Sequence, residues 1–162
     1  MTSAHQPHGF TLVEVMISVG IVAILAAFTV PNLLGQMPKY RLNGASRQLM
    51  GDLLAARMRA VSQNRKVQVF FPDAHQYKIC DDANGDGTVA NCEGNAQIKD
   101  IRGFVALVKN KPYYDVSFLP PPTNNPIFDP RGTASNLATI TVSNASGSKK
   151  ITIAITGRVK IN

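Results

Sequence analysis

Phe10 to Val30 reads FTLVEVMISVGIVAILAAFTV, an apolar run broken by one charged residue, Glu14. At about 1.5 Å rise per residue the run makes a helix of roughly 31 Å, the depth of a bilayer's hydrocarbon core, about 30 Å. A membrane span is therefore predicted, and it constrains the rest of the chain to fold as a tethered unit. No small-residue cleavage site follows the run, as a secretory signal peptide would require. Instead Pro31-Asn32-Leu33-Leu34 leads into more helix-compatible sequence. The chain has 162 residues, enough for one further domain of ordinary size. The span takes a large share of the 44% apolar residues, so the core of that domain is modest.

Glu14 needs an account, because a carboxylate within a span is costly unless it is paired or near the interface. Two readings stand open. Glu14 lies one turn from the helix start and snorkels to water, or it pairs with a cation. No Lys or Arg is close in sequence, but a free α-amino group would serve if the chain were cut before Phe10.

The segment Gly9-Phe10-Thr11-Leu12-Val13-Glu14 resembles the prepilin peptidase signature. Residue order, spacing, span length and position in the chain all match. The resemblance implies cleavage after Gly9, N-methylation of Phe10 as the mature N-terminus, and pairing of Glu14 with the amino group of a neighbouring subunit. Such a pair selects register, because a mismatch strands two charges in a low dielectric. By charge bias alone Lys39, Arg41 and Arg47 would draw the C-terminal side into the cytoplasm. The resemblance implies the opposite: a single-pass inner-membrane protein with its C-terminal domain in the periplasm.

Pro31 and Pro38 interrupt the helical run. Each removes a backbone donor and clashes with the preceding turn, which kinks or locally opens a helix. At Pro31 a mere bend and an assembly-linked loosening both fit. From Arg41 to Asn64 the pattern is helical again, with Leu42, Leu49, Leu53, Ala56 and Ala60 tracing one apolar stripe. The predicted units are a leader (1–9), a transmembrane and assembly helix (10–37), the outer half of the stem (38–64) and a β-rich domain (65–162).

In that last unit the period falls to two. Lys66–Phe70 and Gln76–Cys80 read as a hairpin, Gly103–Val108 and Val116–Leu119 as strands, and Leu119–Gly132 as a Pro-rich loop. Ala138–Val142 and Ile151–Ile155 alternate around a turn at Asn144–Ser148, which would put Ile151, Ile153 and Ile155 inward. The fold class is α+β: a long N-terminal transmembrane and stem helix packed on an antiparallel sheet, as in type IV pilins. The stretch DLLAARMRAVSQNRKVQV (Asp52–Val69), the turn Phe128-Asp129-Pro130-Arg131-Gly132 and the end Thr156-Gly157-Arg158-Val159-Lys160 resemble the GspH/FimT minor pseudopilins. That implies a low-abundance, tip-located subunit of a type II secretion pseudopilus or type IV pilus. Its partners would be other pilins, the prepilin peptidase and the inner membrane.

Two other features carry chemistry. Asp82-Ala83-Asn84-Gly85-Asp86-Gly87-Thr88 through Glu93 fits the spacing of a calcium loop, with Asp82, Asn84, Asp86, Thr88 and Glu93 as oxygen ligands. Predicted strands flank it rather than helices, and the same residues also make ordinary turns. Cys80 and Cys92 are too far apart for a redox CxxC pair, and one disulfide suits an oxidising compartment.

The second feature is charge. The net charge is +7. Beyond Asp129 no acidic residue occurs, while Arg131, Lys149, Lys150, Arg158 and Lys160 follow. If the last strand runs through Gly157, parity puts Lys150, Arg158 and Lys160 on the solvent face with Thr152. Some FimT-like relatives take up DNA through a Gly-Arg-x-Arg motif, and here Gly157-Arg158-Val159-Lys160 keeps the charge with Lys in the last place. DNA binding for uptake is thus the alternative to a purely structural role. Nothing points to an enzyme: His75 is the one histidine beyond the leader, and neither a nucleophile motif nor a phosphate-binding glycine loop is present.

Overall fold

The computed structural model describes residues 10–82, 89, 97–102 and 112–162, without the side chains of 30–32. They fall into two compact units, residues 1–37 and residues 38–162. One helix assignment, α1 (Leu12–Gln63), contributes to both.

In the first unit the helix is capped at its start. Thr11 Oγ1 accepts from the Glu14 backbone N–H at 3.2 Å, and Thr11 O accepts from Val15 N. Leu12–Thr29 has a mean hydropathy of 2.4, and none of it is buried within the structure. The helix assignment runs on through Pro31 and Pro38.

In the second unit α1 lays down the expected stripe. Leu42, Ala45, Leu49, Leu53, Ala56 and Ala60 are all buried, at the three- and four-residue spacing of a single helix face. Ser46 is also buried there and satisfies its hydroxyl on Leu42 O at 2.7 Å.

Among the described residues nine strands form two antiparallel sheets. The first, ordered β3-β2-β1-β5-β6, comprises β1 (Val67–Phe70), β2 (Gln76–Asp81), β3 (Gln97–Asp100), β5 (Ile127–Phe128) and β6 (Ala134–Ser135). The second, ordered β4-β7-β8-β9, comprises β4 (Ser117–Phe118), β7 (Thr139–Asn144), β8 (Gly147–Ile153) and β9 (Val159–Ile161). The β1–β2 hairpin pairs Val67 with Asp81 and Phe70 with Lys78, and β7–β8 pairs Asn144 with Gly147 across a tight turn. The fold is α+β with a stem helix and antiparallel sheets, as expected. The core joins the helix stripe to Val67, Val69, Tyr77, Ile79, Phe118, Phe128, Ile140, Val142, Ile151 and Ile153. Phe71, Tyr77 and Phe118 stack within it, the closest pair edge-on at 5.2 Å.

The C-terminal expectation is corrected. Ile151 and Ile153 point inward, but Ile155 is 66% exposed. The chain reverses after β8: Gly157 N donates to Ala154 O and Ala154 N to Arg158 O, with Gly157 at φ 74°. The alternation of isoleucines runs on into this turn, where period no longer reports a face. The strand predicted over Gly103–Val108 lies outside the described residues.

Polar links also join α1 to the rest of the second unit. Asp52 accepts from the Tyr77 hydroxyl and pairs with Lys99. Burial, and next the bond to Asp52, push the Tyr77 hydroxyl well above its ordinary titration range. Near the start of the second unit Arg41 pairs with Asp115 through two bonds of 2.8 and 3.2 Å. Asn144 there donates to Pro38 O at 2.7 Å and to Asp115 at 3.1 Å.

Candidate assembly segment and basic surface

The assembly residues lie at the head of α1. Gly9 lies outside the described residues. Phe10 is 84% exposed, and Glu14 sits in the first helical turn. Thr11 and Glu14 occupy the N-cap and N3 places of a capping-box pattern, T-x-x-E. The sequence reading passed over this. An acidic group at a helix N-terminus is also favoured by the helix dipole. Glu14 therefore has a local reason to be where it is, besides any partner in assembly. Phe10, Leu12, Val13, Val15, Met16, Ile17 and the large apolar side chains that follow as far as Phe28 are exposed among the described residues. The Pro31 side chain lies outside the described residues.

Of the five calcium-loop residues, Asp82 alone is described. It is buried at 5% exposure and its backbone N–H donates to Lys66 O at 2.9 Å. Asn84, Asp86, Thr88 and Glu93 lie outside the described residues. Among the described residues no cluster of three His, Cys, Asp or Glu side chains is placed to hold a metal. Cys80 is fully buried at the end of β2. Cys92 lies outside the described residues.

Lys150, Arg158 and Lys160 are all exposed, by a different route from the one expected. They lie on two strands and the turn between them. β8 and β9 pair Thr152 with Lys160, and Lys150 exchanges backbone bonds with Asn162. Lys150 and Lys160 are thus diagonal neighbours on one face, about 7–8 Å apart at Cα. Arg158 sits at the hairpin turn.

That turn is held by a residue sequence reasoning missed. Arg57 projects from α1 and donates through Nε to Gly132 O at 2.8 Å and through a terminal nitrogen to Thr156 O at 3.3 Å. Gly132 and Gly157 both have positive φ, 78° and 74°, which L side chains rarely adopt. A Cβ on Gly157 would lie 2.1 Å from Gly132 O and 2.7 Å from Arg57 Nε. The three segments singled out by sequence, at Asp52–Val69, Phe128–Gly132 and Thr156–Lys160, therefore meet at one guanidinium. Their separation in sequence, 75 and 99 residues from Arg57 to its two acceptors, left no local signal. Beside this clamp Arg57, Met58, Val61 and Ser62 line an open, mainly apolar cavity of about 320 Å³.

His75 sits in the turn between β1 and β2. Its backbone N–H donates to Asp73 Oδ1 at 2.6 Å and its Nδ1 lies 3.2 Å from Val116 O.

Comparison with known proteins agrees with this anatomy. The family model described as type II transport protein GspH matches residues 45–157, and that of the prokaryotic N-terminal methylation motif matches residues 5–30. No curated protein matches. Among solved structures, the type IV minor pilin FimU of Pseudomonas aeruginosa is similar in two crystal forms. One is 18% identical with a TM-score of 0.51, covering 76% of this chain and 90% of that one. The other is 20% identical with a TM-score of 0.49, covering 75% and 92%. At such identity the first likeness speaks to the fold, which is that of a type IV pilin. With over half of its length matched by the GspH model and its head by the methylation motif, the chain belongs to the GspH family of minor pilins and pseudopilins, membrane-anchored subunits that assemble with other pilins.

Proposed function

We propose that this chain is a tip-located minor subunit of a type II secretion pseudopilus or type IV pilus. It is anchored in the inner membrane with residues 38–162 in the periplasm, and it acts in secretion or filament assembly rather than catalysis. The observation that carries this reading is the head of α1: an apolar helix exposed among the described residues, led by a methylation motif and bearing Glu14 in its first turn. Cleavage after Gly9 would free the Phe10 amino group, and Glu14 would pair with that group of a neighbour. Replacing Glu14 with Val removes a charge that is costly in lipid, so membrane insertion should persist while filament incorporation falls. Normal incorporation of that variant would overturn the pairing. Labelling confined to filament ends would support the tip position, and labelling along the shaft would refute it.

Exposure of Lys150, Arg158 and Lys160 favours a second reading, binding of DNA for uptake. Three phosphate contacts would give a slope of log affinity against log salt of about −3 on duplex DNA, without sequence preference. Changing Arg158 and Lys160 to Gln should flatten it by about two units. An anisotropy titration showing no binding at low salt would leave the structural role alone.

We further propose a Cys80–Cys92 disulfide and a calcium site at Asp82, Asn84, Asp86, Thr88 and Glu93. The sequence has two cysteines and no described cysteine is free, which supports the bridge. The ligand spacing supports the metal. Calcium at millimolar concentration should raise the melting temperature by mass action, and Asp86→Ala should abolish the rise. An unchanged melting temperature in the oxidised protein would reduce the loop to a turn.

A further inference from the structure

The second unit begins at Pro38, and its first residues are open to solvent. Lys39 is exposed, Tyr40 is 64% exposed, and Tyr114, carried by the segment before β4, is 65% exposed. Tyr114 is held rather than loose. Its ring covers the Arg41 guanidinium at 4.6 Å, and Arg41 is fixed in turn by its two bonds to Asp115. The preceding residue, Tyr113, lies so close to the helix that a Cβ on Gly44 would come within 2.6 Å of its ring. Tyr40 and Lys39, which precede Arg41 in α1, and Tyr114, which stacks on Arg41, are thus two large amphipathic rings and a cation open to solvent.

The described carboxylates near this end are neutralised. Asp115 is paired with Arg41, and Asp100 with Arg102 at 2.8 Å, whose carbonyl accepts from Tyr113 N. Lys39 makes no ion pair among the described residues. Exposed tyrosine next to lysine suits the headgroup layer of a bilayer, where a ring meets acyl chains and its hydroxyl meets water. The occupant is indicated by the chain itself. The apolar segment Leu12–Thr29 lies only a few residues before Pro38 in the same chain, which keeps a lipid surface at high effective concentration.

We propose that Lys39, Tyr40 and Tyr114 form a contact with the anionic headgroup layer of the membrane that holds the span, seating the second unit on the bilayer before assembly. The proposal rests on the membrane anchorage read above, and its test separates the two. The chain contains no tryptophan, so single tryptophans report without background. Three full-length variants, Ile17→Trp, Tyr114→Trp and Met58→Trp, would be reconstituted in phosphatidylcholine/phosphatidylglycerol vesicles carrying nitroxide lipids labelled at the headgroup or deep in the acyl chain. Tryptophan at 114 keeps the stacking on Arg41, since it is the best aromatic partner for a cation. Residue 58 lies about 27 Å along the stem from residue 40.

The acyl label should quench the tryptophan at 17. The headgroup label should quench that at 114 several-fold more than that at 58, and Lys39→Glu should reduce the difference. If 17 is quenched and 114 behaves like 58, the contact is overturned while anchorage stands. If 17 is not quenched, anchorage fails and the contact with it. Protection of residue 114 that scales with protein-to-lipid ratio, or persists in detergent, would assign the surface to a second copy and also overturn the proposal.

Discussion

The two halves of α1 are built from similar residues and meet opposite fates. From Leu42 to Ala60 the apolar side chains form a stripe, and the sheets of the same chain bury it. From Leu12 to Phe28 they cover the whole circumference, and among the described residues they are exposed. A stripe can be satisfied by one partner on one side. An all-round apolar helix needs a surrounding medium, lipid or a ring of other helices. The stem half thus supplies the stability of the second unit, and the head half supplies attachment.

The largest expected effect lies in the stem half. Leu53→Ala removes a side chain that is 1% exposed and should cost about 2–5 kcal/mol in the denaturation midpoint of the second unit. A truncation of the same kind at Val19, which is 63% exposed, should leave that midpoint unchanged. Equal effects at the two sites would erase the distinction between the halves.

Next comes the clamp at the far end of the stem. Gly157→Ala forces a Cβ against Gly132 O at a positive φ and should destabilise by roughly 1–3 kcal/mol. Arg57→Ala leaves two carbonyls without their donor and should cost about 1–3 kcal/mol. Chemical denaturation of both variants, compared with Met58→Ala next door, measures whether the guanidinium or the surrounding packing holds the turns.

A smaller effect depends on pH. Tyr77 titrates higher in the folded protein than its ordinary value of 10.0, so it stays protonated while the unfolded chain releases its proton. Its contribution is fully present below about pH 10 and falls as pH rises beyond that, by up to about 1.4 kcal/mol per unit. Tyr77→Phe should remove that component of the alkaline slope. At the bottom of the scale, Glu14→Val should leave the melting temperature of the second unit unchanged while filament incorporation is lost. A shifted melting temperature would mean that the head half contributes to folding after all.

Much of this was legible from sequence because hydrophobic periodicity reports burial wherever an element is long and one-sided. The stem stripe, the β1–β2 hairpin and the β7–β8 pair all satisfy that condition. Strand β3 does not: Gln97-Ile98-Lys99-Asp100 has exposed and half-buried positions without alternation, as an edge strand can. The two-residue strands β5 and β6 are too short to show a period, and β5 hides in a Pro-rich stretch. Ile155 misled because an alternating run was extended through a glycine turn. The T-x-x-E cap was present as a local pattern, but the charge of Glu14 drew attention to distant partners. Arg57 carried no local mark, since its acceptors lie far along the chain.

The clamp has a consequence for sequence drift. Arg57 binds main-chain carbonyls, of Gly132 and Thr156, and so recognises the path of the backbone rather than the identity of what it carries. Provided the two glycines persist, Arg131, Thr133, Thr156 and Arg158, all exposed, can be exchanged without disturbing the geometry beneath them. The far end of the stem is therefore a fixed frame with interchangeable lettering. Homologous subunits could acquire different partners there by surface substitution alone, while the cost of refolding is held near zero.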